Sequence, residues 1–296
     1  MKIKKGCLAR QRSLMNLFYI PALLLFLFFV IYPFFEGIRI SFTRWNGYSQ
    51  KFTYIGFENY LRFFQDSRVW LAAKNTFIYG FGSTLIQTIF GLAYALLVNS
   101  AIRGRNIVRT VVYMPVMIAS LIMGYIIYFI VQYNNGALND IMILFGRPPV
   151  DWMSDGRRAV FIITVINSFQ YVGNNMILYL AGLQCIPITY YEAAIIDGAS
   201  SIQKFRAITL PLLIPAMMSV VTLNVIGGLK MFDIIVALTG GGPGWASHSL
   251  STLIANQYFK GQVAGYAATI GFFSFILIMF MSNLVIWFFS KKEIDV

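Results

Sequence analysis

Charged residues are scarce in this 296-residue chain, in which 11% of residues are Asp, Glu, Lys or Arg and 58% are hydrophobic. Soluble domains carry about 25% charged residues, so this composition is poorly suited to a surface that faces water. The hydrophobic residues also occur in long runs, and about 20 of them in succession cross the hydrocarbon core of a bilayer. The sequence therefore predicts an integral membrane protein.

Groups that enzymes use for catalysis are rare as well. His248 is the only histidine, and Cys7 and Cys185 have no spacing typical of a metal site. The sequence contains no Gly-x-x-x-x-Gly-Lys-Ser/Thr phosphate loop, so we do not expect this chain to hydrolyse ATP by that chemistry. These absences argue against a membrane enzyme, and no segment suggests the selectivity filter of a channel.

The net charge of +12 comes largely from Lys and Arg clusters at the ends of hydrophobic runs. That pattern orients membrane helices and argues against a nucleic-acid partner.

The basic N-terminal tail resembles the start of a signal peptide, but the run after it is long and lacks a cleavage site, which favours a retained helix. Short basic loops place both termini, Cys7 and Cys185 in the cytoplasm, where a disulfide is not expected. The six predicted spans are residues 14–35, 76–101, 110–131, 160–183, 212–231 and 265–289.

The outer loops predicted by this topology differ in composition. Residues 56–64 are rich in aromatic side chains, which suits a short helix lying at the membrane interface. Contact with an external partner is the alternative for this segment. The loops around 134–149 and 240–244 are rich in Gly and Pro.

The cytoplasmic loop at 184–211 has the signals of two short helices. Thr189 and Glu192 form a capping-box pattern that starts a helix, and Gly198 can supply the left-handed residue that ends it. Ser200 and Gln203 repeat the capping signal. The sequence therefore predicts two helices joined at Gly198, in a loop between two membrane spans.

The same loop resembles the coupling loop of ABC-importer permeases. The pattern is Glu-Ala-Ala, three residues, Gly, nine residues and Ile-x-Leu-Pro, and it is matched here by Glu192, Ala193, Ala194, Gly198, Ile208, Leu210 and Pro211. A resemblance to the sugar-importing branch is carried by Asp197, Ala199, Phe205 and Arg206, and by Ser41-Phe42-Thr43, Asn59-Tyr60, Asn75-Thr76 and Leu238-Thr239-Gly240-Gly241-Gly242-Pro243.

This resemblance implies an all-α polytopic fold of the type I ABC-importer permease, with residues 1–296 forming one transmembrane domain in a bacterial inner membrane. It implies that these eleven loop residues dock into a cytosolic ATPase subunit. It also implies a second similar permease chain, two ATPase subunits and an external sugar-binding protein as partners, besides membrane lipid. No cofactor is expected in this chain, because the ATPase subunits would bind ATP and Mg. A purely local role as helix cap and turn is the alternative for Glu192 and Gly198.

Polar residues inside the predicted spans indicate a path for substrate. Amides and hydroxyls are costly in hydrocarbon unless they face a cavity or a partner helix. The polar residues of span four recur at i, i+3, i+4 and i+7, which places them on one helical stripe. Span five carries Asn and Gly residues on one side. Amide, hydroxyl and aromatic groups suit a carbohydrate, whereas hydrogen bonding between helices is the alternative. The predicted path is Ser120, Asn167, Gln170, Tyr171, Asn174, Asn224 and Gly228.

Lys230 and Asp233 lie three residues apart near the outer end of span five. On one helix such a pair neutralises itself, which favours a structural role over a proton relay. An ion-gradient-driven secondary transporter is the competing function. Such a transporter needs buried carboxylates and is usually built from inverted repeats. Asp233 is the single acidic candidate within the spans, and we detect no repeat.

Overall fold

The computed structural model describes residues 19–100 and 102–292, so the basic N-terminal tail, Cys7 and the start of the first predicted span lie outside it. Regular structure in the described residues is almost entirely helical, as the sequence predicts. The one sheet there pairs strand β1, Thr43–Arg44, with the antiparallel strand β2, Thr53–Tyr54. The helices are α1 (Tyr19–Ser41), α2 (Glu58–Gln65), α3 (Ser67–Asn99), α4 (Arg105–Met117), α5 (Ser120–Val131), α6 (Ala137–Leu144), α7 (Gly156–Gln184), α8 (Ile188–Ile196), α9 (Ser201–Leu212), α10 (Ile214–Leu229), α11 (Asp233–Leu238), α12 (Leu250–Ala255) and α13 (Ala264–Ser290).

Three helices in the described residues, α1, α3 and α13, are long and apolar enough to cross a membrane. The bent pairs α4–α5 and α9–α10 raise that number to five if each pair is one span. Helix α7 has 29 residues, or about 43 Å at 1.5 Å per residue, which exceeds the bilayer core. Its asparagines and glutamine lower its hydropathy. The helices are compatible with six spans, but that number and the cytoplasmic termini stay predictions.

The third predicted span, 110–131, is wrong as a single helix. Helix α4 ends in a 3-10 turn that contains Pro115, and Ile118 and Ala119 are then extended, with ψ of 130° and 138°. Helix α5 starts at Ser120 and lies at 98° to α4. Proline lacks the N–H that a continuous helix needs, and this explains why the segment breaks close to it.

The Gly/Pro-rich loop around 134–149 is ordered by one buried side chain. The loop around 134–149 contains α6, and Asn139 in that helix is buried. Its amide donates to the carbonyls of Tyr133 and Val150, while its oxygen accepts from Trp152. A side chain that satisfies several backbone groups can order a loop rich in Gly and Pro.

The described residues divide into two compact units. The first comprises residues up to 65 and 257–272. In it, the Asn59 side-chain amide donates to the carbonyls of Ser41 and Thr43 at 2.8 and 2.9 Å. Arg62 of α2 lies over the Tyr266 ring, 4.1 Å from its centroid. The short helix predicted at 56–64 is thus confirmed as α2, while its place at the membrane interface stays a prediction.

The second unit, residues 66–256 and 273–292, holds both predicted sites. One cluster of its core joins α3, α7 and α10 through Ala95, Met176, Tyr179, Leu213 and Val220. A second cluster joins α3, α5, α7 and α11 through Tyr79, Val131, Ile163, Ile234 and Leu238. These contacts fix α3, α5, α7, α10 and α11 around a cavity.

Candidate functional site

A cavity of about 390 Å³ lies between α3, α5, α7, α10 and α11. Six of the seven residues predicted for the substrate path line it, and Gln170 does not. The predicted residues at the cavity are Ser120, Asn167, Tyr171, Asn174, Asn224 and Gly228. The remaining lining residues are Gln87, Leu223, Gly227, Lys230, Met231, Phe232, Asp233 and Ile234. Their role in transport stays a prediction.

Hydrogen bonding in the cavity wall uses part of its polar capacity. Ser120 Oγ and the Tyr171 hydroxyl are 2.6 Å apart, and Gln87 Nε2 donates to the Asn167 carbonyl at 3.3 Å. The Asn224 Nδ2 atom is buried and has no hydrogen-bond partner within the described residues.

Gln170 faces the helix break between α4 and α5. Its side chain is fully buried, and Nε2 donates to the Ile118 carbonyl at 2.7 Å. At 100° per residue, Tyr171 and Asn174 point within roughly 40° of Asn167, whereas Gln170 points roughly 60° away. This angle places Gln170 beside the cavity stripe, where it pairs a carbonyl that the break leaves without a helical partner.

Gly228 is a packing residue as well as a lining residue. A Cβ atom at this position would lie 2.7 Å from Gly80 Cα and 2.9 Å from the Tyr79 carbonyl oxygen. Both atoms belong to the backbone of α3, where a π-helical turn spans Ile78–Gly82. Helix α10 therefore approaches α3 closely at Gly228, while Gly227 beside it has open space.

The prediction that Lys230 and Asp233 neutralise each other on one helix is wrong. Helix α10 ends at Leu229, and Asp233 is the first residue of α11. No ion pair joins the two side chains in the described part of the chain, and both line the cavity. The chain turns between them, and Ser249 Oγ donates to the Met231 carbonyl within that turn at 2.8 Å.

The Gly/Pro-rich loop predicted around 240–244 is held against α3 by buried hydrogen bonds. Asn75 Nδ2 donates to the carbonyls of Ala246 and His248, and the Tyr79 hydroxyl donates to the Ser247 carbonyl. His248 is buried here, and its Nδ1 lies 2.9 Å from Thr252 Oγ1. No cluster of metal-ligating side chains occurs among residues 19–100 and 102–292.

The cytoplasmic loop forms the two predicted helices, α8 and α9. The Ser200–Gln203 capping box is confirmed, with Ser200 N–H donating to Gln203 Oε1 at 2.7 Å. The capping box predicted at Thr189 is wrong. Helix α8 begins directly after Pro187, which is its N-cap and makes no side-chain bond. Thr189 is consequently inside the first turn, two residues after the N-cap position.

Gly198 has the left-handed conformation predicted for it, with φ of 73°. The Gly198 N–H donates to the Ile195 carbonyl, and the Ala199 N–H donates to the Ala194 carbonyl. These two bonds form a Schellman motif, in which the glycine closes the helix and satisfies its last carbonyls. The motif turns the chain sharply from α8 into α9.

One side of the cytoplasmic loop is anchored, and the other is open. The Tyr191 hydroxyl lies 2.9 Å from Thr209 Oγ1, and Tyr191 and Ile208 pack against the core of the second unit. Helix α8 nevertheless has no buried residue, and the side chain of Ile196 is 87% exposed. The predicted docking residues divide between an exposed group (Glu192, Ala193, Asp197, Gly198 and Arg206) and a half-buried group (Ala194, Ala199, Phe205, Ile208, Leu210 and Pro211).

Sequence reasoning missed several residues of both sites. Gln87, Lys230 and Asp233 line the cavity, and Ile196 and Ile202 are exposed on the cytoplasmic loop. Polarity within an apolar run was the signal available for Gln87. For the two isoleucines, the signal was an apolar side chain on a short helix outside the membrane.

A helical membrane chain with a polar cavity inside its bundle and an exposed cytoplasmic loop has the features of a transport permease. Residues 87–291 match the family described as binding-protein-dependent transport system inner membrane component, and this chain belongs to that family. It is therefore a multi-pass component of the inner membrane.

Relatives and solved structures agree with this family. The chain is 35% identical to the trehalose/maltose transport system permease protein MalF of Thermococcus litoralis, over 91% of each chain. It is 33% identical to the multiple sugar-binding transport system permease protein MsmF of Streptococcus mutans, over 94% of this chain and 95% of that one. Its fold is similar to a chain in the crystal structure of a bacterial ABC transporter involved in the import of the acidic polysaccharide alginate. The TM-score is 0.83 at 23% identity, over 98% of this chain and 99% of that one.

Proposed function

We propose that this chain is one permease subunit of an ATP-driven ABC importer, which moves a carbohydrate into the cytoplasm by alternating access. The observation that carries the proposal is the cavity in the second unit, where amide and hydroxyl side chains from four helices converge. The transported molecule is an oligosaccharide or a related sugar. A sugar presents many hydroxyl groups, each of which can both donate and accept a hydrogen bond.

The lining chemistry supports this substrate class. Gln87, Asn167, Asn174 and Asn224 offer both donors and acceptors, and the rings of Tyr171 and Phe232 offer apolar faces. Pockets with a few convergent polar groups among apolar ones are typical of small-molecule sites. The relatives MalF and MsmF are named as sugar transport permeases, which agrees with a carbohydrate substrate.

The partners follow from the family and from the exposed loop. This chain pairs with a second permease, and two ATPase subunits bind ATP and Mg and dock on the 184–211 loop. The absence of buried residues in α8 supports docking, because the side of that helix away from Tyr191 is open to a partner. An external sugar-binding protein delivers the substrate. A related alginate transporter, similar with a TM-score of 0.81, was solved in complex with a pentasaccharide-bound periplasmic protein.

Reconstitution in ion-tight vesicles tests the function. We expect no sugar accumulation by this chain alone, and accumulation with ATP when the companion permease, the ATPase and the binding protein are present. An ionophore should leave that accumulation intact. A secondary transporter would instead work alone and follow the gradient, since one charge crossing 100 mV gains roughly 2.3 kcal/mol. Uptake by this chain alone, driven by a proton or sodium gradient without ATP, would refute the proposal.

Gly198 provides the test of docking. Its backbone has φ of 73°, a conformation that Asn tolerates better than most residues, whereas Val is strongly disfavoured there. We expect Gly198→Val to reduce both ATPase co-purification and uptake while membrane insertion stays normal. Gly198→Asn, the matched control, should retain both activities to a large degree.

Glu192→Lys tests the same surface without straining the backbone, because Glu192 is exposed and its side chain makes no cap. Weaker ATPase association is expected. Normal association and uptake in both Gly198→Val and Glu192→Lys would mean that the loop is not the docking site.

A further inference from the structure

The cavity contains two charged side chains of opposite sign. Lys230 and Asp233 are the charged residues among those that line it, and the other polar groups are amides and hydroxyls. One positive and one negative charge give the lining no net charge. Lys230 and Asp233 are both exposed, and no ion pair joins them within the described residues. Their polar atoms are therefore available to a ligand.

Helix ends explain why these two charges stay apart. Lys230 caps the C-terminus of α10, where the helix dipole favours a cation. Asp233 starts α11, where the dipole favours an anion. Each side chain is thus stabilised by its own helix, and neither needs the other as a counter-ion. The ammonium group keeps three hydrogen-bond donors, and the carboxylate keeps its acceptor sites.

This arrangement treats neutral and charged ligands differently. A hydroxyl group accepts from Lys230 and donates to Asp233 without bringing a charge into a cavity walled largely by protein. A carboxylate on the ligand is attracted by Lys230 but repelled by Asp233, so the two electrostatic interactions oppose each other. The cavity therefore offers an anionic sugar no net electrostatic advantage to offset the loss of its hydration.

We propose that Lys230 and Asp233 determine which substrate charge the cavity accepts. This permease then accepts neutral sugars and rejects sugars that carry a carboxylate. The inference rests on the proposed function, since it concerns the sugar that occupies the same cavity. Asp233 cancels the attraction that Lys230 alone would exert on the carboxylate of an acidic sugar. Lys230 offsets the charge of Asp233 and donates to sugar hydroxyls.

The experiment compares matched ligands on the purified transporter, assembled from both permeases and the ATPase but without the binding protein. The probes are maltose, trehalose and maltotriose, each with the counterpart in which one C6 hydroxymethyl group is oxidised to a carboxylate. The measurement is the ratio of the Kd of the uronate to the Kd of its neutral partner. In the unmodified protein we expect this ratio to exceed one.

Single charge removals should shift the ratio in opposite directions. Asp233→Asn leaves a net positive cavity and should lower the ratio about tenfold, while Lys230→Gln leaves it negative and should raise the ratio by a similar factor. The double variant Lys230→Gln/Asp233→Asn restores zero net charge and should return the ratio towards the original value. Asp140→Asn, an exposed acidic position in α6 outside the cavity lining, is the control and should leave the ratio unchanged.

The outcomes separate this inference from the proposed function. If both single variants weaken binding of the neutral sugar and its uronate equally, the two residues serve only their helix ends, and the inference is overturned while sugar binding stands. Tighter binding of uronates than of neutral sugars by the unmodified protein would also overturn it. If no probe of either kind binds, the inference is overturned; the proposed function fails only if the complete transporter, with ATP and its binding protein, accumulates no sugar. Should Asp233→Asn not assemble, Lys230→Gln alone still tests the inference, because an unchanged or lower ratio in that variant would overturn it.

Discussion

Gly227 and Gly228 in α10 are neighbours with different surroundings. Both line the cavity, but only Gly228 is buried against the backbone of α3. A methyl group on Gly228 would meet Gly80 and Tyr79 backbone atoms, which cannot move aside as a flexible side chain can. The position that the sequence suggested for sugar contact is therefore also a point of helix packing.

We predict that Gly228→Ala destabilises the solubilised protein by roughly 1–3 kcal/mol, since α10 must separate from α3 to admit the methyl group. The measurement is the midpoint of thermal unfolding of the purified transporter. Gly227→Ala is the matched control, because no atom lies within 4 Å of its added Cβ and Ala is the better helix former. Equal unfolding midpoints for the two variants would show that the close approach at Gly228 contributes nothing.

At the scale of elements, the break between α4 and α5 is held by α7. Gln170 pairs the Ile118 carbonyl inside the break, and the Tyr171 hydroxyl contacts Ser120 at the start of α5. Adjacent residues of α7 thus hold both sides of one bend. The bend in turn sets where α5 meets the cavity wall.

We predict that Gln170→Leu destabilises the protein by roughly 1–3 kcal/mol, the cost of leaving a partly buried carbonyl without a donor. Sugar affinity should also fall, because α5 and Ser120 lose their fixed position. Binding assays and thermal unfolding on the same preparation measure the two effects. Gln184→Leu, at the exposed C-terminal end of α7, controls for the loss of an amide and should change neither quantity. Unaltered stability and affinity in Gln170→Leu would rule out a supporting role for this bond.

At the scale of the whole molecule, the orientation in the membrane is open to a direct test. The basic loops predict that Cys185 faces the cytoplasm, and its thiol is free and exposed. With Cys7 replaced by serine, a thiol reagent that cannot cross membranes should label Cys185 in inverted vesicles and not in intact cells.

The complementary variant reports on the other side. Ser154 is exposed in the loop between α6 and α7, which the topology places outside. In a Cys7→Ser/Cys185→Ser background, Ser154→Cys should be labelled in intact cells. The predicted topology has one membrane crossing between positions 154 and 185, so the two thiols should be labelled from opposite sides. Labelling of both from the same side would contradict that topology.

Much of this protein follows from local sequence. Hydrophobic runs predict the membrane helices, because burying a run of that length in hydrocarbon requires a helix whose backbone bonds to itself. The turn at Gly198 and the capping box at Ser200 are also predictable, since each depends on residues within a few positions along the chain. The helical stripe on α7 brings Asn167, Tyr171 and Asn174 to one cavity for the same reason.

Tertiary structure alone decides which polar group meets which partner. Gln87 bonds to a residue 80 positions away, and Gln170 to one 52 positions away. No local window contains such pairs. The separation of Lys230 from Asp233 likewise depends on the turn between them, which is hydrogen-bonded to Ser249. On a continuous helix, residues three positions apart could form an ion pair. Because the chain turns, the two residues instead place separate charges in the cavity. The sequence by itself determined a membrane-spanning helical chain with polar stripes and a capping box in the 184–211 loop. The folded structure decided which of those polar groups line a cavity and which support its walls, because hydrogen bonds between distant segments form only when the helices pack.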